Sequence, residues 1–384
     1  MTDLQFEEAW LERAGAIWTA REITQQPESL ARTQAMLASR AAEITAYLAP
    51  LLAKRDLRII LTGAGSSAFI GECLAPFLLS ALNRRVEAIP TTDLLSGPKQ
   101  YFQADVPTLL VSFGRSGGSP ESVAVATLAD RMLAECYQLV ITCNEAGALY
   151  EYCRGCSNAL AVLLPPETHG KSFAMTSSFT AMLMAAWLLF GGNESNAKTV
   201  AGITQSVRGV LDRHGTNFRR LAGESYSRVV FLGSNGFKGI AREAALKLME
   251  MTDGTVAAIS DSPLGFRHGP KTIITADTLV FVLVSSDPYT RQYDLDLLRE
   301  LRSDARAGRV IALTSQTLDG IATNDCIQVD AAGPAGDAGL CFPYMACGQL
   351  YAFHRSLFLG NSPDQPSRSG TVSRVVRGVT IHSL

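Results

Sequence analysis

The sequence has no excess of charge of either sign. Its 34 basic and 36 acidic residues give a net charge of −2, and no basic cluster stands out. A protein that binds the nucleic-acid backbone concentrates its basic residues on one surface. The composition therefore argues against a nucleic-acid partner, whereas a small anionic ligand needs only local positive potential.

Long hydrophobic segments are also absent. The longest, at residues 181–190, is well short of the roughly 20 apolar residues that span a bilayer, so it predicts a buried helix. Residues 1–8 are acidic and lack the apolar core of a signal peptide. We therefore expect a cytoplasmic protein with no membrane partner.

Cysteine is sparse and scattered, with eight in 384 residues, and most lie among apolar neighbours. This distribution is typical of buried thiols in a reducing compartment. Cys153 and Cys156 form one CxxC pair, but no second pair and no histidine pair completes a metal-binding set. We expect neither a metal site nor a cofactor.

The sequence does contain an internal repeat. Three apolar, β-branched segments of the first half recur in the second half at a constant offset of 170 residues. A constant offset over three segments indicates duplication of one domain. The matching segments are 57–63 with 228–233, 108–112 with 278–282, and 138–142 with 309–313.

Continuous apolar strands that alternate with helix-length segments predict parallel sheets covered on both faces. The expected fold is α/β, with two tandem, doubly wound, flavodoxin-like sheets. Within the flanking regions we expect one helix over 28–54 and a strand over 375–381. The predicted divisions are an N-terminal helical arm at 1–55, a first domain at 56–200, a connecting helix at 201–225, a second domain at 226–358 and a tail at 359–384.

Glycine and serine follow two neighbouring strands of the first half, at 63–68 and 112–122. Ligands of open α/β sheets bind at the carboxyl ends of the strands. There glycine permits close approach, and serine hydroxyls and free helix N–H groups donate to anions. Either loop alone is more typical of turns and helix caps, but two adjacent loops predict a metal-free phosphate site. The second-half loops, at 233–236 and 285–288, lack this chemistry.

Ionisable residues in the second half suit proton transfer. Glu243, Lys247 and Glu250 share one face of a predicted helix, and His268 lies in a loop bounded by glycine and proline. A carboxylate and an imidazole can move protons during sugar isomerisation, and an ammonium can stabilise a developing oxyanion. The alternative interpretation is a solvated Glu–Lys surface.

These segments resemble the sugar isomerase (SIS) superfamily in its double-domain form, and within it the AgaS family. The resemblance covers nearly the whole chain. It implies a galactosamine-6-phosphate deaminase/isomerase that yields tagatose-6-phosphate and ammonia. Residues 244–250 and 267–270 also resemble the isomerase half of glucosamine-6-phosphate synthase. The family motifs are at 61–71, 112–116, 141–150, 173–178, 266–271 and 288–298.

The resemblance also implies roles for single residues. Glu250 would be the proton-shuttling base, His268 would open the sugar ring, and Lys247 would assist at the oxygen or the amine. Thr176 would contact the sugar. A homodimer or larger homo-oligomer would share its active site, because the synthase-like histidine comes from the neighbouring subunit. The residues implied to bind phosphate are Ser66, Ser67, Arg115, Ser116 and Ser119.

Two features set expectations about the reaction. Arg377 stands where the synthase has an imine-forming lysine, and arginine stays protonated, so His268 has more of the ring opening to do. The first cysteine is Cys73, so we expect no N-terminal amidotransferase nucleophile and favour deamination. Plain aldose–ketose isomerisation and sugar-phosphate sensing by a regulator stay open as alternatives, as does galacto against gluco specificity.

Overall fold

Two parallel five-stranded sheets form the centre of the fold. The computed structural model describes residues 2–192, 195–376 and 378–382. A two-stranded antiparallel ribbon, β1 with β2, precedes the sheets. The strands are β1 (Thr2–Asp3), β2 (Phe6–Glu7), β3 (Arg58–Thr62), β4 (Val86–Ala88), β5 (Thr108–Gly114), β6 (Cys136–Thr142), β7 (Ala159–Leu163), β8 (Arg228–Gly233), β9 (Ala257–Asp261), β10 (Thr278–Leu283), β11 (Arg309–Thr314) and β12 (Cys326–Gln328).

Helices connect the strands and cover both sheets. The apolar segment at 181–190 belongs to α10, which is buried over most of its length, as predicted. In the part of the chain that is described, no helix is long and apolar enough to cross a membrane. The helices are α1 (Glu8–Arg13), α2 (Ile17–Thr24), α3 (Gln26–Ser39), α4 (Ala41–Leu52), α5 (Ser66–Leu82), α6 (Thr91–Ser96), α7 (Pro98–Tyr101), α8 (Pro120–Met132), α9 (Ala148–Arg154), α10 (Ser177–Phe190), α11 (Ala197–Ala222), α12 (Phe237–Met251), α13 (Pro263–Phe266), α14 (Pro288–Asp304) and α15 (Gly336–Phe358).

The two sheets have the same topology, which confirms the predicted doubly wound α/β fold. Sheet 1 has the strand order β4-β3-β5-β6-β7, and sheet 2 has the order β12-β11-β10-β8-β9. In each, the chain reverses its direction of winding between two adjacent central strands, β3 and β5 or β8 and β10. Such a switch point is where ligands bind in open α/β sheets.

The six predicted strands are the three central strands of each sheet. Their continuous apolar sequences are explained by burial on both faces, as in β3 and β10, which are buried throughout. The edge strands β4, β7, β9 and β12 were not predicted. They have three to five residues and are only partly buried, so they lack a continuous apolar signal.

The chain packs as two compact units, each built on one sheet. The sheet-1 unit contains Glu28–Gly170, Ser177–Asn196 and the tail from Val372 onward. The sheet-2 unit contains the described residues up to Pro27 together with Lys171–Thr176 and Ala197–Thr371. Buried aliphatic and aromatic side chains form a separate core on each sheet.

Two predictions outside the sheets were wrong. The expected single helix at 28–54 is interrupted at Arg40, whose ψ of 12° leaves helical geometry and whose guanidinium donates to the Ala161 carbonyl. The expected strand at 375–381 is absent from the described tail residues, because the tail pairs with no sheet edge there. Instead Arg374 donates to the carbonyls of His169 and Gly170. Arg377 itself lies outside the described residues.

A close approach between strand and helix recurs in both sheets. A Cβ atom on Gly63 would lie 2.6 Å from Ser67 Cβ, and one on Gly233 would lie 2.4 Å from the Phe237 carbonyl oxygen. Gly63 directly follows β3 and Gly233 ends β8, and the helices α5 and α12 begin within four residues of them. Glycine is therefore needed here for steric reasons.

We expect Gly233→Ala to lower the free energy of unfolding by about 1–3 kcal/mol, because the new methyl group overlaps the α12 backbone. Urea unfolding monitored by circular dichroism measures this. Gly202→Ala is the control, since nothing lies within 4 Å of its added Cβ in α11. It should stabilise the chain by roughly 0.5–1 kcal/mol. Equal effects of the two variants would contradict the steric explanation.

Candidate active site

The two serine-rich loops follow the carboxyl ends of two adjacent strands of sheet 1. Strands β3 and β5 are adjacent and parallel, with Thr62 opposite Ser112. The first loop turns at Gly65, whose φ is +56°, and α5 begins at Ser66. Ser66 and Ser67 are each 5% exposed, and neither hydroxyl has a hydrogen-bond partner within the described ranges. The first turn of α5 therefore offers two hydroxyl donors, whereas the N–H groups of Ser67 and Ala68 already donate to the carbonyls of Ala64 and Gly65, at 3.2 and 2.9 Å.

The second loop runs from β5 to α8. The Ser116 hydroxyl accepts from Gly118 N at 3.3 Å, but its own proton has no acceptor among the residues described. Ser119 caps α8, accepts from Ser122 N at 3.4 Å and donates to Glu121 at 2.9 Å. Of the predicted phosphate-binding serines, only Ser119 already uses its hydroxyl as a donor, so binding an anion there requires it to release Glu121.

Residues from the next strand hold the second loop in place, and sequence reasoning missed this role. Asn144 follows β6 and its side-chain amide donates to the Ser116 carbonyl at 2.8 Å. Thr142, the last residue of β6, donates to the Gly114 carbonyl at 2.6 Å. Both polar residues stand at a strand end, which is the signal that could have found them.

Arginines add positive potential to the sheet-1 unit. Arg115 is buried, and its guanidinium donates to the Arg374 carbonyl at 3.3 Å. Burial and the charges of Arg374 and Arg115 lower the pKa of His169. The Arg115 guanidinium thus contacts the tail in this structure. Its expected contact with a phosphate stays a prediction.

The equivalent loops of sheet 2 are occupied by carboxylates of the chain itself. Asp337 accepts from Ser286 N at 2.7 Å and from the hydroxyls of Ser286 and Ser285. Asp294 accepts from Ser234 and from Ser285 N, and burial raises the pKa of Asp294 to about 6. Ser286 is the counterpart of Ser116 at the 170-residue offset. The second copy therefore satisfies its own donors, and the first copy leaves Ser66, Ser67 and Ser116 available.

The predicted face of α12 holds a buried charge cluster. Lys247 and Glu243 have no exposed side-chain surface, whereas Glu250 is 23% exposed. The Lys247 ammonium lies 3.5 Å from Glu243 Oε1 and donates to Glu250 Oε2. A buried ammonium is costly unless carboxylates compensate it. Lys247 therefore holds Glu250 in place, and its expected assistance at the oxygen or the amine stays a prediction.

His268 and Thr176 also lie in the sheet-2 unit. His268 is exposed in the turn after α13, and its imidazole has no hydrogen-bond partner within the described part of the chain. Thr176 is fully buried, and its hydroxyl has no partner in the same set of residues. An unpaired buried hydroxyl costs about 1–3 kcal/mol. Both side chains therefore have polar atoms that no other described group satisfies.

Comparison with known proteins gives the family. The SIS domain family matches residues 51–191 and 224–352. A D-galactosamine-6-phosphate deaminase AgaS of Escherichia coli is 47% identical over 370 residues, which cover 96% of each chain. The chain belongs to the AgaS family. A second relative is the D-galactosamine-6-phosphate deaminase AgaS of Shewanella sp. (strain ANA-3). It is 43% identical over 375 residues, which cover 97% of this chain and 93% of that protein.

A solved structure extends the likeness of this AgaS-family chain to three dimensions. The crystal structure of tagatose-6-phosphate ketose/aldose isomerase from Escherichia coli has a TM-score of 0.90 and 45% sequence identity. The superposition covers 95% of this chain and 96% of the Escherichia coli chain. The predicted family and the predicted tandem SIS-domain fold are both confirmed.

We expect Asn144→Ala to weaken binding of inorganic phosphate roughly threefold to tenfold, because losing one hydrogen bond of about 1 kcal/mol frees the Ser116 loop. Isothermal titration calorimetry measures the affinity. Asn158→Ala is the control, since Asn158 makes a comparable 2.8 Å bond to the Cys136 carbonyl, at the start of β6. An equal loss in both variants would argue against a specific role for Asn144.

Proposed function

We propose that this chain is a deaminase/isomerase that converts D-galactosamine-6-phosphate and water to tagatose-6-phosphate and ammonia. The observation that carries the proposal is the Glu250 carboxylate, which is partly exposed and fixed by a buried lysine, in a chain 47% identical to a deaminase of that name. A partly exposed, rigidly held carboxylate is suited to moving protons between adjacent carbons.

Phosphate binding is assigned to the two loops of sheet 1. The hydroxyls of Ser66, Ser67 and Ser116 lack acceptors among the residues described, and phosphate oxygens accept such donors at helix N-termini. Ser119 is included on condition that it releases Glu121, and Arg115 contributes charge. Their part is to anchor the end of the substrate that does not react.

The acid–base chemistry is assigned to Glu250 and His268. His268 donates a proton to the ring oxygen and takes the proton of the anomeric hydroxyl, so the bond between C1 and the ring oxygen breaks and the aldehyde forms. Glu250 then removes the C2 proton and returns it to C1, while the amine gives up a proton to the carbonyl oxygen O1, so that C1 becomes a hydroxymethyl group and the double bond lies between C2 and nitrogen. Water adds to this C2 imine, ammonia leaves, and the ketose carbonyl forms. The ring opening and the C2-to-C1 transfer depend on proton transfer, for which a carboxylate and an imidazole are suitable groups.

Two further assignments complete the proposal. Lys247 keeps the Glu250 carboxylate in position, and Thr176 offers its unpaired hydroxyl to the sugar. The active site is shared within a homodimer or larger homo-oligomer, with the exposed His268 imidazole reaching the substrate of a neighbouring subunit. The finding of an exposed imidazole without a partner among the described residues supports this arrangement.

The decisive assay is a panel of hexosamine phosphates scored separately for ammonia and for ketose phosphate. We expect galactosamine-6-phosphate to yield both in equal amounts, with glucosamine-6-phosphate and N-acetylgalactosamine-6-phosphate as comparison substrates. A second candidate is plain aldose–ketose isomerisation, favoured by the name of the Escherichia coli structure above. Interconversion of tagatose-6-phosphate with its aldose, without any ammonia from the amino sugar, would select that candidate.

Glu250→Gln should reduce kcat by at least about a thousandfold and leave substrate affinity within about twofold, because the amide keeps the shape but cannot accept a proton. Stopped assays give the rate, and calorimetry gives the affinity. A rate near that of the wild type would show that another group is the base.

Ser116→Ala should instead raise KM about tenfold with little change in kcat, since it removes a charge-assisted hydrogen bond made equally in the ground and transition states. Ser286→Ala is the matched control at the same position of the second copy. Its hydroxyl is bound to Asp337, so KM should not move. A similar rise in KM for both variants would contradict the choice of the first copy.

A further inference from the structure

The turn that carries His268 is short and hydrogen-bonded on both sides. Ser262 caps α13 by accepting from Gly265 N at 3.1 Å, and His268 N donates to the Gly265 carbonyl at 2.9 Å. Beyond the histidine, Gly269 has φ +126°, and a short 3-10 helix covers Pro270–Ile273. These bonds shape the turn locally, and Phe266 and Ile274, on either side of the histidine, anchor it in the core of the sheet-2 unit.

Two basic residues that flank His268 connect the segment between these anchors to α14. Arg267 Nη2 lies 2.8 Å from Glu300 Oε2, and the Lys271 ammonium binds Glu300 Oε1. Lys271 also lies 2.5 Å from Asp304 Oδ2. Glu300 and Asp304 are one turn apart on α14, so they share a face of that helix. The single carboxylate of Glu300 therefore binds the turn on both sides of the histidine, through Arg267 and Lys271.

This arrangement differs from an ordinary surface ion pair. Glu300 and its partners are each only 26–34% exposed, and the Lys271 hydrogen bond lowers the pKa of Glu300. A single exposed pair contributes about 0–1 kcal/mol to stability. A pair that contributes little to overall stability can still fix a local geometry, and proton transfer is sensitive to displacements of about 1 Å.

We propose that Glu300 is a positioning residue that holds the turn bearing His268 at the geometry its acid–base role requires. The proposal rests on the proposed function for the role of His268. It assigns Glu300 no contact with substrate. The restraint on the turn and the catalytic role of His268 can be tested separately, since the restraint can be measured without any assay of catalysis.

The test compares Glu300→Gln with Asp296→Asn in the full-length protein. Both lie on α14 and both changes remove one negative charge with little change of shape. Among the described residues Asp296 pairs only with Arg299, at 3.2 Å, and it is 56% exposed, so Asp296→Asn should leave the turnover rate and the exchange of the turn unchanged. Amide hydrogen exchange of residues 262–274 should become at least several-fold faster in Glu300→Gln only. Unchanged exchange in Glu300→Gln would overturn the proposal whatever the protein catalyses.

Kinetics supply the second readout. Glu300→Gln should lower kcat on the order of tenfold with KM nearly unchanged. Combined with His268→Ala it should cause no additional loss, whereas combined with Ser116→Ala the effects should multiply. Full multiplication with His268→Ala would overturn the positioning role. If His268→Ala itself had normal activity, the proposed function of His268 would fail, and the exchange experiment would still decide whether Glu300 restrains the turn.

Discussion

Hydrogen-bond donors gathered at the ends of parallel strands need acceptors, and this requirement distinguishes the two copies of the SIS domain. In sheet 2 the donors of Ser234, Ser285 and Ser286 go to Asp294 and Asp337. In sheet 1 the corresponding loops bring no carboxylate to Ser66, Ser67 or Ser116 within the described residues. Unpaired donors at a helix N-terminus favour an anion from solution. The duplication thus left one copy whose loop donors bind its own carboxylates and one whose serine hydroxyls bind none among the described residues.

Charge burial explains why the other copy can present the carboxylate that we propose as the base. On α12, Lys247 has no exposed surface and its charge is compensated by Glu243 and Glu250. The cost of burying an ammonium makes this cluster rigid, because moving either carboxylate would leave the charge uncompensated. Glu250 alone reaches solvent. This buried cluster therefore presents one carboxylate in a fixed position.

Much of this could be predicted from the sequence, and the failures have a common physical cause. Central strands and glycine–serine loops are local patterns, so they were found. The interruption at Arg40, the Asn144 contact and the Glu300 contacts arise from pairing between distant segments, which local patterns do not record. The same holds for Asp337, which lies 51 residues from Ser286. Burial of Lys247 likewise depends on how α12 packs, not on its spacing.

The most direct measurement is a crystal structure of the Glu250→Gln variant in complex with tagatose-6-phosphate. We expect the phosphate oxygens to accept from the hydroxyls of Ser66, Ser67 and Ser116, and we expect residue 250 to lie within hydrogen-bond reach of C1 or C2 substituents. Phosphate bound at Ser285 and Ser286, or a sugar out of reach of residue 250 in every subunit of the assembly, would contradict the account.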